Sequence, residues 1–277
     1  MLCEFGLPSN PKVKVRLREA TVAEAIDFSS IDPDCEEEAT SFFLEKVQEK
    51  ETYTDPRQWT GEDRRFALFQ YFVSTSTYRS IPLSYTCSIC GQPHTQDIEL
   101  KRILEDYTPM DGEAARDFSY EGHNVIVRPL NGADLEDIEK YRYDMLIAQQ
   151  KLEEYRPQLA ATEIRRVEAE IRAKKIRMAM LRIICSIDMP FLDETLTPRE
   201  RRGQVEKTLK EMPAAQFKEF MKKVDKAIIE MRHGLRTSYV EGRIMLEIPD
   251  VRCDLNPEAP GVLLRYPFRF GDIIPTL

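Results

Sequence analysis

The chain has 277 residues, 42% of them hydrophobic and 32% charged, with a formal net charge of −8 and a pI near 5.2. That apolar content supports one large core or two ordinary ones and excludes a largely disordered chain. The acidity excludes a general nucleic-acid footprint, and no apolar run approaches the ~20 residues that cross a bilayer.

The opening stretch, MLCEFGLPSNPKVKVRLRE, lacks the apolar core of a signal peptide. Six cysteines stand scattered at positions 3, 35, 87, 90, 185 and 253, in a chain long enough to fold without disulfide staples. We therefore expect a reducing, intracellular setting with thiols kept free or on metal. Val13, Val15 and Leu17 alternate with charged residues, the period of a half-buried strand. Thr21 then suits a helix N-cap, and Glu24 three residues on completes a capping box. Residues 34–50 place acids in a first helical turn, where the helix dipole favours them. Residues 61–75 form another helix, whose aromatic face of Phe66, Phe69 and Phe72, with Val73, reads as core.

Next comes SIPLSYTCSICGQPHTQDIEL, a β-hairpin with the Cys87-x-x-Cys90-Gly91 turn at its tip. The strand-to-helix pattern then returns as VIVRPLNGADLEDI. An offset of 112 residues pairs Val13 with Val125, Val15 with Val127, Arg16 with Arg128, Glu24 with Glu136 and Ile26 with Ile138. Either an internal duplication or two independent units would give this pattern.

The centre is helical. Ile138, Tyr141, Met145, Ala148, Leu152 and Tyr155 recur at alternating spacings of three and four, a heptad seam. Pro157 interrupts it, and Ile164, Val167, Ile171, Met178, Leu181 and Cys185 resume it. Two antiparallel arms of roughly 35–40 Å are the simplest expectation, a kinked single helix the other. Arg165, Arg166, Arg172, Lys174, Lys175 and Arg177 make a local basic face mixed with acids, which reads as a solvated helix surface. Thr197-Pro198-Arg199-Glu200 starts a further helix. Pro213 opens the next, with a stripe of Phe217, Phe220, Val224, Ile228 and Met231, and Gly234 is expected as its C-cap. From about 239 the chain reads as short strands, GRIMLEIPDVRCDL and GVLLRYPFRFGDII, around a Pro- and Asn-rich loop.

The expected class is therefore α+β, predominantly helical. The expected domains are 1–130, with the cysteine hairpin; 131–238, with the long helical hairpin; and 239–277, a β segment packing on the first.

A structural zinc takes four ligands, and the turn supplies two thiolates. His94 is a candidate third and Cys253 the best-placed fourth, because DVRCDLNPEAP resembles a second hairpin turn with a single cysteine. His123 is a further candidate. One structural zinc and a stable hairpin that has lost its metal both remain open. A redox dithiol would sit at a helix N-terminus, whereas Pro93 and the alternation after His94 argue for a strand. There is no G-x-S-x-G, phosphate-cradling loop, G-x-G-x-x-G or H-E-x-x-H, and the sequence does not read as an enzyme.

Several elements in order carry a resemblance: LPSN before VKVRLREAT, then TCSICGQPHTQDIEL, then VIVRPLNGADLEDI, a helical centre, and strands ending in YPFRFGDIIPTL. In that order they resemble the baseplate and hub-assembly proteins of T-even-type contractile-tailed bacteriophages. The resemblance implies a non-enzymatic virion-assembly role, as a tail component or an assembly chaperone. Its partners would be other tail proteins, met in the host cytoplasm during assembly, with the virion tail as a further location. No membrane or nucleic-acid partner is expected. Family members often carry a second cysteine pair near the C-terminus, where this chain has only Cys253. On this reading the helical arm, with Met145, Leu152, Ile164, Ile171 and Met178, is a candidate partner-binding element. The alternative is a zinc-ribbon-containing regulatory module binding a polymerase or nucleic acid.

Overall fold

The computed structural model describes residues 1–30, 35–192, 195–240 and 243–268. Helix takes 49% and strand 25%, the strands in small antiparallel sheets, so the fold is α+β and predominantly helical. The chain opens with β1 (Cys3–Leu7), β2 (Asn10–Leu17), α1 (Val22–Ser29), α2 (Glu36–Val47) and α3 (Gly61–Thr75). It continues through β3 (Ser80–Thr86), β4 (Pro93–Glu99), α4 (Leu100–Glu105), β5 (Arg116–Tyr120), β6 (His123–Val127), α5 (Gly132–Tyr155) and α6 (Ala161–Ser186). It closes with β7 (Ile187–Asp188), α7 (Pro198–Glu211), α8 (Ala214–Glu230), β8 (Thr237–Val240), β9 (Arg243–Val251) and β10 (Val262–Pro267). The first residue of the expected 34–50 helix and the strand expected beyond Phe268 lie outside the described residues.

The alternating apolar residues of β2 bury Val15 and Leu17 completely while Lys12 and Lys14 stay in water. Thr21 and Glu24 form the expected capping box, with Glu24 also paired to Arg18 at 2.7 Å. The second strand-to-helix unit repeats this device: Asn131 caps α5 reciprocally with Asp134, which Arg128 meets at 2.6 Å. Arginine, cap and carboxylate correspond 110 residues apart (18 and 128, 21 and 131, 24 and 134), not at the offset of 112 that valine identities suggest. The cap chemistry fixes the register because its spacing to the helix is rigid, whereas alternating valines tolerate a slip of two.

Two main cores result. The first joins Phe5, Val15, Leu17, Phe43, Phe66 and Tyr71 of the N-terminal elements to Leu235, Leu246 and Phe268 near the other end of the chain. The aromatic face of α3 is part of it: Phe66 and Phe69 are buried, and Phe72 and Val73 pack at its edge. The second core gathers Val125, Val127, Ile184, Val205, Phe220 and Val224. Packing thus groups residues differently from a division at 130 and 238: β5–β6 belongs with α7 and α8, and Phe118 and Tyr120 both pack edge-on against Phe220.

The α5–α6 hairpin is antiparallel. Tyr141 early in α5 meets Arg177 late in α6, and Arg156 at the tip reaches Glu168 at 3.1 Å. Pro157 sits in a 3-10 turn, Arg156–Gln158, that makes the bend. The heptad seam closes on itself: Met145, Leu152 and Ile171 are buried together, with Ala148, Leu159, Ile164 and Val167 around them. The C-terminus of α8 differs from expectation. Its C-cap is Met231, whose N–H bonds to Ala227 and Ile228 carbonyls. Gly234, at φ +80°, instead exchanges two backbone hydrogen bonds with Thr108, and a Cβ there would lie 3.0 Å from the Cβ of Glu62.

Candidate metal centre

The β3–β4 hairpin pairs without a bulge from Ser80 opposite Glu99 to Thr86 opposite Pro93, which leaves Cys87–Gln92 as its turn. The turn is closed by the Cys87 amide donating to the Gln92 carbonyl at 2.9 Å and the Gly91 amide donating to the Cys87 carbonyl at 2.8 Å. Gly91 takes φ +72°, a left-handed conformation that glycine adopts without a Cβ clash. The turn leads into a strand, so it is not followed by a helix whose N-terminus could face either thiol.

The second half comes from the β9–β10 hairpin. Cys253 forms an isolated bridge with Asn256, whose amide donates to the Cys253 carbonyl at 3.2 Å. Gly261 lets this hairpin close tightly, since a Cβ there would stand 2.5 Å from the Cα of Asp250. The two hairpins meet through a small apolar cluster, Ile98 with Ile248 and Val251 buried, flanked by Leu83, Tyr85 and Leu264. Gln96 Nε2 also donates to the Arg252 carbonyl at 2.6 Å.

This contact brings Cys87, Cys90, His94 and Cys253 together, with one ligand atom from each inside a 4.8 Å span. Four donors each about 2.0–2.3 Å from one tetrahedral ion lie roughly 3.3–3.8 Å apart, so a modest contraction of the set would let it hold a metal ion. His94 Nε2 points inward, 3.0 Å from Cys90 Sγ and 3.9 Å from Cys253 Sγ. Its Nδ1 lies 3.0 Å from Asp254 Oδ2. A carboxylate on the outer nitrogen fixes the tautomer that leaves Nε2 free to ligate. Tyr85 stacks on the imidazole at 5.8 Å between ring centroids. Cys87 and Cys253 are each 1% exposed, so the cluster is shut from solvent on two sides.

The thiols are prepared unequally. The amides of Cys90 and Ile89, aimed at the Cys87 sulfur, hold that thiol at about 7 despite the opposing effect of burial. At Cys90 the Gln92 amide pulls downward, but burial and the neighbouring thiols of Cys253 and Cys87 outweigh it and the thiol is pushed up. A turn that aims amides at sulfur favours the thiolate, the form in which cysteine ligates metal.

All four residues expected from sequence as ligands are thus brought together. His123 is not among them: it lies on the exposed end of β6 with its ring 4.5 Å from that of Phe191. His233 is buried, with Nδ1 on the Met231 carbonyl and Nε2 on Thr60 Oγ1, both at 2.7 Å. Beside it, Asp63 accepts from the hydroxyl and amide of Ser9. That grouping ties the β1–β2 turn to the start of α3 and the exit of α8; the Ser9 hydroxyl is spent on Asp63, not on the imidazole. The candidate docking residues are a correction. Met145, Leu152 and Ile171 are buried in the intramolecular seam and Ile164 and Met178 are half-buried, because two antiparallel helices satisfy each other's apolar stripes.

Two residues were not found from sequence. Asp254 had a signal in its position directly after Cys253. Glu139 had none: α2 has no side-chain cap of its own, and Glu139 on α5 accepts from the amides of Glu37 at 2.9 Å and Glu38 at 3.3 Å. Burial pushes its carboxyl up to about 7.

No family model, curated protein or solved structure matches the chain. No helix among the described residues is long and apolar enough to cross a membrane.

Proposed function

We propose that the protein is a non-enzymatic assembly factor of a contractile phage tail, a component or chaperone of the baseplate or its hub, fastened by one structural zinc. The observation that carries the zinc is the convergence of Cys87, Cys90, His94 and Cys253 from two hairpins on one point. Three thiolates and one imidazole are a donor set that zinc favours, and four protein ligands fill its tetrahedron. Such a site leaves no position for water or substrate and serves to hold structure.

The assembly role rests on the ordered resemblance of sequence elements. A long two-helix arm beside a fastened body is compatible with it, since such a shape presents surfaces for protein contacts. The partners are other tail proteins, met in the host cytoplasm, with the finished tail as a further location.

Two measurements on the intact protein test this reading. Elemental analysis should find one zinc per chain, lost on Cys90→Ser. Affinity purification from the native expressing cells at moderate salt should recover hub, wedge or tape-measure proteins. Recovery of polymerase subunits or nucleic acid without any tail protein would overturn the assembly role in favour of a zinc-ribbon regulatory module.

A further inference from the structure

Besides the seam that packs on α5, α6 carries a second apolar stripe. Ala169, Ala173, Ile176, Met180 and Ile183 recur at spacings of four, three, four and three. At 100° per residue this stripe lies on the side of the helix opposite the Ile164–Ile171–Met178 seam. Its far end is interior: Met180 and Ile183 pack against the second core. Toward the tip the same stripe emerges into water, where Ala169 and Ala173 are exposed and Ile176 is 67% exposed.

Arginines border this stripe on both edges, with Glu168 and Glu170 one row further out. Arg165 and Arg172 border one edge and Arg166 the other; all three are exposed, and none has a carboxylate within ion-pair distance among the described residues. The helix as a whole has seven basic and three acidic residues. Small alanines allow close helix approach, Ile176 offers a knob, and arginines on either side select the sign of the partner's flanking charges. A second α6 would set arginine against arginine, so this face does not suit itself.

We infer that the outer face of α6 docks an amphipathic helix of a partner protein, one with an apolar heptad stripe flanked by Asp and Glu. The inference rests on reading the arm as an assembly element and names the chemistry of what it meets. The contact is a helix laid along a helix, its register set by Ile176 and the sign of its flanking charges by the arginines.

The test uses the full-length protein and two synthetic helical peptides with leucine at the seam positions, one flanked by glutamate and one by lysine. Fluorescence anisotropy should show the glutamate peptide binding with a micromolar Kd and the lysine peptide at least roughly tenfold more weakly. Raising salt from about 0.15 M to about 0.5 M should weaken the glutamate peptide further. Ile176→Glu, at a position exposed enough not to disturb folding, should weaken it by at least roughly tenfold, and Ala173→Glu should repeat the effect. Equal binding of both peptides, no binding, or binding indifferent to Ile176→Glu would overturn the inference. So would concentration-dependent self-association in sedimentation that Ile176→Glu abolishes, because the occupant would then be a second copy. If wild type and Ile176→Glu recover the same tail proteins from cells, the docking face is wrong while the assembly role stands.

Discussion

Replacing Cys253 with serine removes the only metal ligand contributed by the β9–β10 hairpin and leaves Cys87, Cys90 and His94 intact. The effect is calculable because of the distance in sequence: Cys253 and His94 are 159 residues apart. A cross-link closing a loop of that length removes about 5 kcal/mol of chain entropy from the unfolded state, on the model used for disulfides. A metal bound to all four ligands acts as such a cross-link, whereas one bound to three ligands of a single hairpin closes almost no loop. For a protein of this size about 1 kcal/mol moves Tm by roughly 2–4 °C, so Cys253→Ser should lower Tm by about 10 °C or more. Scanning calorimetry of the zinc-loaded proteins, with zinc measured on the same samples, reads both quantities. Chelation of the wild type should reproduce the shift, and chelation of the variant should add little. A variant that keeps one tightly held zinc per chain and melts within about 1 °C of wild type would refute the reasoning, since Cys253 would then be neither ligand nor link.

Asp254→Ala should keep a stoichiometric zinc at saturation but weaken its affinity by roughly 10–100-fold, as measured by competition with a chromogenic chelator, because His94 loses the carboxylate that orients it. Glu139 has a folded-state pKa of about 7, above its unfolded value, so the native state binds the extra proton. Stability from this group is therefore present at low pH and declines as pH rises through about 7. Glu139→Gln keeps an acceptor for the α2 amides and removes the charge, so denaturant titrations should show it more stable than wild type at pH 8 by up to about 3 kcal/mol and nearly equal at pH 4. Asp134, fully buried between Arg128 at 2.6 Å and Arg202 at 2.7 Å, also caps α5. Asp134→Ala should cost about 2 kcal/mol in urea unfolding, because it breaks the capping box of α5 and takes a carboxylate from Arg128 and Arg202, although Arg202 keeps Asp137 at 3.0 Å.

The metal ligands were legible in the sequence for a local reason and a weaker distant one. Cys-x-x-Cys-Gly specifies a tight turn by its own spacing, and the alternation on both sides specifies the hairpin that presents it. Cys253 could only be inferred by likeness to a broken second turn, and its approach to His94 depends on the packing of Ile98 against Ile248 and Val251, which no local pattern encodes. The capping boxes at Thr21 and Thr197 were readable because each is complete within four residues. The role of Gly234 was not: a glycine shortly after a helix is the usual C-cap signal, and the bridge to Thr108 that uses it comes from 126 residues upstream. The arm's heptads showed that two stripes exist but not that they satisfy each other. Periodicity identifies an apolar face and is silent on what covers it.

The metal's place in the fold follows from what the apolar contacts alone can hold. Burial of Ile98, Ile248 and Val251 stabilises the junction of the two hairpins by about 5–9 kcal/mol, at ~1.5–3 kcal/mol for each side chain. Ordering the backbone of residues 252–261, the loop that carries Cys253, costs about 10–20 kcal/mol at ~1–2 kcal/mol per residue. The shortfall, about 1–15 kcal/mol, lies within what a structural zinc can supply, about 10–16 kcal/mol in small zinc-binding peptides. By contrast, α5 and α6 hold each other through a seam that needs no metal. Removing the metal should therefore open the junction locally, while the seam feels only the global loss of stability. Hydrogen exchange after chelation should speed up most, by orders of magnitude, at residues 87–92 and 252–261, while amides in the α5–α6 seam around Met145 and Ile171 should accelerate by no more than the global loss of stability. Uniform acceleration across the chain would mean that the metal fastens the whole body, and no acceleration would mean that the hairpins hold each other without it.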